Sequence, residues 1–94
     1  MRTIWKYELG QTSITRLQIP LNAEILSLQI DGKTNKPCLW IMVNSDNPQE
    51  ERVFELFGTG HNVPFNMSYD QKYIGTYQSY DGEFVGHIFE QISI

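Results

Sequence analysis

Apolar side chains recur at every second residue of this chain, in short runs closed by turn-forming residues, and that period constrains the fold most. Side chains along an extended strand point alternately to its two faces, so a repeat of two buries one face, whereas a helix needs a repeat near 3.6. No window of eleven residues fits the helical period better than the extended one. Thr3, Trp5, Tyr7 and Leu9 share one face of a first strand, with Ile4, Lys6 and Glu8 on the other. Thr15, Leu17 and Ile19 alternate in the same way up to Pro20, and the intervening Gly10-Gln11-Thr12-Ser13 reads as the turn of a hairpin. Leu26, Leu28 and Ile30 mark a third strand, entered at Ile25, and Asp31-Gly32 opens a polar connection to a fourth. From Cys38 to Val43 the chain is apolar throughout, the pattern of a strand covered on both faces.

After a solvated loop from Asn44 to Glu51, the run from Arg52 to Phe57 places Val53, Glu55 and Phe57 on one face and Phe54 and Leu56 on the other. Large apolar groups on both faces predict a central strand, expected to return antiparallel to the fourth. It runs into Gly58-Thr59-Gly60-His61, and the stretch from Asn62 to Gln71, with Val63, Phe65, Met67 and Tyr69 around Pro64, reads as an irregular strand or a loop with one short turn. Lys72 to Ser79 alternates again, with Tyr73, Gly75 and Tyr77 on one side. Tyr80-Asp81-Gly82-Glu83 then turns the chain into a last strand, where Phe84, Gly86, Ile88 and Glu90 oppose Val85, His87 and Phe89. About seven such strands, spaced by roughly eight to twelve residues, predict one all-β domain over 1–94, a small antiparallel β-sandwich or a partly open β-barrel.

A chain of 94 residues has room for one core. At this size only about 60–65% of the unfolded surface is buried, so a few large side chains or a partner subunit must supply the stability. Five Phe, five Tyr and two Trp provide them. Seven Lys and Arg against eleven Asp and Glu give a net charge of −4 with no basic cluster, which excludes a nucleic acid duplex and an anionic membrane as expected partners. Cys38 is the single cysteine, so no intrachain disulfide can form and a cytoplasmic location is expected. Met1 to Gly10 has no apolar core of a signal peptide, and the longest apolar run is too short to span a bilayer.

Two readings compete for Gly58, Thr59, Gly60 and His61. Backbone N–H groups at the two glycines could form an anion nest, with Thr59 and His61 as further donors and Arg52 nearby, holding the phosphates of a small nucleotide. Phosphate loops usually open a helix, however, and here Val63-Pro64 follows, so a tight turn or bulge ending a central strand is the competing reading. His61 and His87 could meet at the strand ends with Asp70 or Asp81, but a metal site needs three or four ligands at a recognisable spacing and none is present. His87, between Val85 and Phe89, reads as a half-buried histidine. Leu39, Trp40 and Ile41 should raise the pKa of Cys38 and keep it a thiol. The paired carboxylates lie in turns, where solvation is the rule. No catalytic residue, metal or cofactor is therefore expected. Tyr73, Tyr77 and Tyr80 are the best candidates for an aromatic patch on a partner-binding surface.

Five segments in order, Ile4-Trp5-Lys6-Tyr7-Glu8, Pro37-Cys38-Leu39-Trp40, Phe57-Gly58-Thr59-Gly60-His61, Tyr73-Ile74-Gly75-Thr76 and His87-Ile88-Phe89-Glu90, carry a resemblance along nearly the whole chain. Together they resemble a family of short uncharacterised proteins found in bacteriophage and prophage genomes. That resemblance implies a bacterial or phage cytoplasm and an accessory role, and it brings no catalytic residues. Gly86 departs from it, standing where a bulkier residue is expected before the histidine. The leading functional expectation is a non-catalytic module that binds a protein partner of host or phage, or pairs its sheets in a homo-oligomer. Binding of a small nucleotide at the Gly58 to His61 loop is the alternative.

Overall fold

A computed structural model describes residues 1–79 and 82–93. Seven strands among them, β1 (Arg2–Glu8), β2 (Ile14–Pro20), β3 (Glu24–Ile30), β4 (Pro37–Asn44), β5 (Gln49–Gly58), β6 (Tyr69–Ser79) and β7 (Phe84–Ser93), build two sheets. The first has the order β1-β4-β3 and the second β2-β5-β7-β6, every pairing antiparallel. They face each other as a sandwich with no closed barrel, so the first of the two predicted architectures is the one formed. β4 and β5 are central strands, as their two-sided apolar patterns require. Leu39, Ile41 and Val43 of β4 meet Ile19, Phe54 and Ile88 of the other sheet in the core, where each buried side chain contributes about 1.5–3 kcal/mol.

Two expected hairpins are sheet-to-sheet corners instead. β1 pairs with β4 and β2 with β5, so the Gly10 to Ser13 turn does not join neighbours in one ladder. Its ends are tied to different layers: the Leu9 N–H donates to the carbonyl of Pro37, the first residue of β4, and the Leu56 N–H of β5 donates to the Ser13 carbonyl. Likewise β4 and β5 lie in separate sheets. Asn47 Nδ2 donates to the Leu21 carbonyl and the Leu21 N–H to Pro48, pinning that connection across to the β2–β3 turn. Turn chemistry tells where a chain reverses; burial of the apolar faces decides whether it reverses within a sheet or into the other one. The β3–β4 and β6–β7 pairs are hairpin neighbours as expected.

One register shift moves a predicted face. In the β6–β7 ladder Tyr73 pairs with Phe89 and Gly75 with Ile88, leaving Ile74 as the extra residue of a bulge. Tyr73 and Tyr77 therefore point to opposite sides of the sheet, which corrects their placement on one face. The bulge sits where β6 passes against β3, and a Cβ on Gly75 would lie 3.2 Å from Leu28. Tyr77 turns inward and lays its ring over Gly86, where an added Cβ would stand 2.6 Å from ring carbons. That contact explains why a bulkier residue is missing before His87.

Candidate functional site

The Gly58 to His61 segment folds as a tight turn. The His61 N–H donates to the Gly58 carbonyl at 3.1 Å, and Gly60 at the third position has φ of 85°, the left-handed conformation that glycine adopts without strain. The His61 imidazole folds back so that Nδ1 accepts the Gly58 N–H at 3.2 Å. The Gly58 N–H, one of the two glycine donors expected to form an anion nest, is thus already taken, as is the His61 N–H. Thr59, not His61, reaches His87: its Oγ1 lies 2.8 Å from Nε2, while Thr76 Oγ1 lies 3.0 Å from Nδ1 and also meets the Tyr73 hydroxyl. A neutral imidazole donates through one nitrogen and accepts through the other, so two flanking hydroxyls satisfy it fully. This half-buried histidine has no carboxylate partner among the described residues.

Arg52 lies six residues from Gly58, about 20 Å along the strand, and is engaged in the interior. Its Nε and Nη2 donate to the two oxygens of Glu90 at 2.6 and 2.8 Å, and Nη1 donates to the Ala23 carbonyl at 2.8 Å. The bidentate hydrogen bond to Glu90 raises the Arg52 pKa further, against the opposing effect of burial. Gly58, Thr59, Gly60 and His61 are therefore together at one end of the sandwich, and Arg52 is near the other. Glu55, on the outer face, is buried as well, and its carboxylate accepts from Tyr69, Gln71 and Gln91.

Of the three candidate tyrosines, Tyr73 is 55% exposed on the outer face of the second sheet, edge-on to Phe89, which in turn meets Phe57 edge-on. Tyr77 is only 6% exposed and lines a cavity of about 300 Å³ between the sheets. Tyr80 lies outside the described residues, as does Asp81. Leu56 and Phe84 form apolar walls of the cavity, Ser79 adds a second buried hydroxyl, and Gln11 and Asn35 stand exposed at its rim. These residues come from five separate stretches of chain, so no local pattern announces them. A shallower cleft at Gly58, Thr59 and His61 adjoins this cavity through Phe84.

The connection from β5 to β6 is the other notable surface. β5 and β6 both pair antiparallel to β7, so residues 59–68 must carry the chain from one end of the sheet to the other. On this arm Phe65 is 86% and Met67 83% exposed, in phase with the partly exposed Val63. The sequence signal was the alternation itself: apolar residues in strand phase around Pro64, with no ladder to join. Cys38 is buried and donates weakly to the Lys36 carbonyl; burial pushes its pKa up, as its apolar neighbours predicted. Among the described residues no three His, Cys, Asp or Glu side chains cluster as a metal site, and no helix is long and apolar enough to cross a membrane.

Fold and surface together define a small all-β sandwich with an apolar arm on one layer and a cavity at one end. The chain belongs to a family described as a domain of unknown function (DUF7352), whose model matches residues 1–93. No curated protein and no solved structure matches it.

Proposed function

We propose that this domain is a non-catalytic binding module, an accessory protein of phage or prophage origin that works in the bacterial cytoplasm by contacting a host or phage protein. The observation that carries the reading is the arm 59–68, where Phe65 and Met67 leave large apolar side chains almost wholly in water. Fully burying a side chain of this size is worth about 1.5–3 kcal/mol, so leaving two unburied on one short segment favours contact with a partner. Tyr73 and Phe89 on the outer face of the same sheet add aromatic area of the kind enriched at interfaces. The phage setting rests on the five-segment resemblance, and the cytoplasmic one on the lone, buried thiol. A second copy of the chain is the other occupant this arm could take.

The test is affinity capture from lysate of a bacterial host with wild type and with a Phe65→Ser/Met67→Ser variant, beside sedimentation velocity of both. The variant should release the captured protein, or fall from dimer to monomer, while keeping its thermal midpoint. Identical capture and identical sedimentation by both proteins would sink the arm as the contact surface.

A further inference from the structure

The cavity between the sheets is lined by two hydroxyl side chains that are themselves mostly buried. Tyr77 and Ser79 are 6% and 8% exposed, yet neither hydroxyl has a hydrogen-bond partner among the described residues. Within that set no fully enclosed side-chain oxygen or nitrogen lacks a partner, so both hydroxyls open onto the cavity they line. Hydroxyls that face a cavity and make no bond to the described protein keep their donor and acceptor capacity for whatever enters it. We infer that this cavity is a binding site for a neutral, planar ring bearing a carbonyl or amide group, held by the Tyr77 and Ser79 hydroxyls between Leu56 and Phe84.

Size, charge and geometry each narrow the ligand. A volume of about 300 Å³ is at the lower end of small-molecule sites and exceeds the roughly 150 Å³ that admits one benzene ring. Among the described residues no Lys, Arg, Asp or Glu lines the cavity, and the adjoining cleft contributes Glu83, so a phosphate or carboxylate would find no cation there and one like charge. Inner side chains fill the roughly 10 Å between the sheets of such a sandwich, so a ligand has room only where Leu56, Tyr77 and Phe84 leave the cavity open. Tyr77 and Phe84 present rings tilted by 54° with centroids 6.1 Å apart, an apolar corner against which such a ring can rest. Burial raises the Tyr77 pKa and keeps the phenol a donor. The donor suits a carbonyl oxygen, and Ser79 can give or accept beside it. The exposed amides of Gln11 and Asn35 offer further donors and acceptors at the mouth.

The experiment titrates the full chain with benzamide, 2-pyridone, benzoate and toluene while following backbone amides by nitrogen–proton correlation spectra. Benzamide and 2-pyridone should bind at about 1 mM or tighter, as expected for ligands of roughly seven to nine heavy atoms, and shift Leu56, Tyr77, Ser79 and Phe84. Toluene should bind more weakly and benzoate not at all. Tyr77→Phe should weaken benzamide about five- to tenfold without lowering the thermal midpoint, because the lost hydroxyl bonds nothing described in the free protein. Ser79→Ala provides the same comparison should Tyr77→Phe not fold. Absence of shifts, shifts confined to Gly58, Thr59 and His61, equal binding of benzoate, or unchanged benzamide affinity in the folded hydroxyl-deleted variant each overturns the assignment.

Discussion

The two ends of the sandwich treat buried polar groups in opposite ways. At one, Arg52 and Glu90 neutralise each other through two hydrogen bonds, and Ala23 takes a third donor, so nothing is left for a ligand. At the other, Tyr77 and Ser79 bring hydroxyls between the sheets beside an open volume and leave them unbonded by the described residues. Burial alone therefore does not mark a site in this protein. A satisfied buried group closes the architecture, whereas an unsatisfied one facing space reserves its bonding capacity.

The sharpest way to break that contrast is to remove half of the closed end. Arg52→Met leaves the Glu90 carboxylate, 4% exposed, without its cation, and should cost about 3–5 kcal/mol in chemical denaturation. Arg52→Met/Glu90→Leu should recover most of that loss, since two apolar groups of similar volume need no partner. A double variant as unstable as the single one would show that the pair holds the fold by more than mutual neutralisation.

A smaller effect is expected at the open end, where packing rather than charge is at stake. Gly86→Ala drives a methyl group into the Tyr77 ring and should destabilise by about 1–3 kcal/mol. In a Tyr77→Leu background the same change should cost less, and a double-mutant cycle by thermal denaturation measures the coupling. Full additivity would mean that Tyr77 does not rest on Gly86.

The smallest effect belongs to a third arrangement, the solvent-facing pair in which Lys6 Nζ donates to Asp31 at 2.9 Å. The hydrogen bond from Lys6, helped by the Lys33 N–H, holds the Asp31 carboxyl below its ordinary range. A carboxylate with a depressed folded pKa stabilises above its unfolded value, near pH 4, and loses that contribution as pH falls through the lowered folded value. Thermal midpoints between about pH 6 and pH 2 should therefore fall slightly more for wild type than for Lys6→Met. Equal slopes would show that the pair contributes nothing.

Much of this was readable before any coordinates. Alternation, and for β4 an unbroken apolar run, located the seven strands of the described residues to within a few residues, because both patterns survive whatever the partner strand is. The two-sided runs marked β4 and β5 as central for the same reason. The candidate site was less legible. Tyr73 and Tyr77 lie four residues apart and read as one face, and only pairing with β7 reveals that Ile74 bulges out between them and reverses the second. Arg52 looked available to a ligand because its carboxylate partner is distant in sequence, on the far side of the same ladder.

The order of polar and apolar side chains by itself determined that this chain is extended, where it turns, and which strands are covered on two faces, since those properties depend on neighbours within a few residues. Which strands share a sheet, which phenol faces inward, and where an unbonded pair of hydroxyls meets open space were decided only by the tertiary structure. Each depends on contacts between segments far apart along the backbone, and no local repeat encodes the free energy of bringing them together.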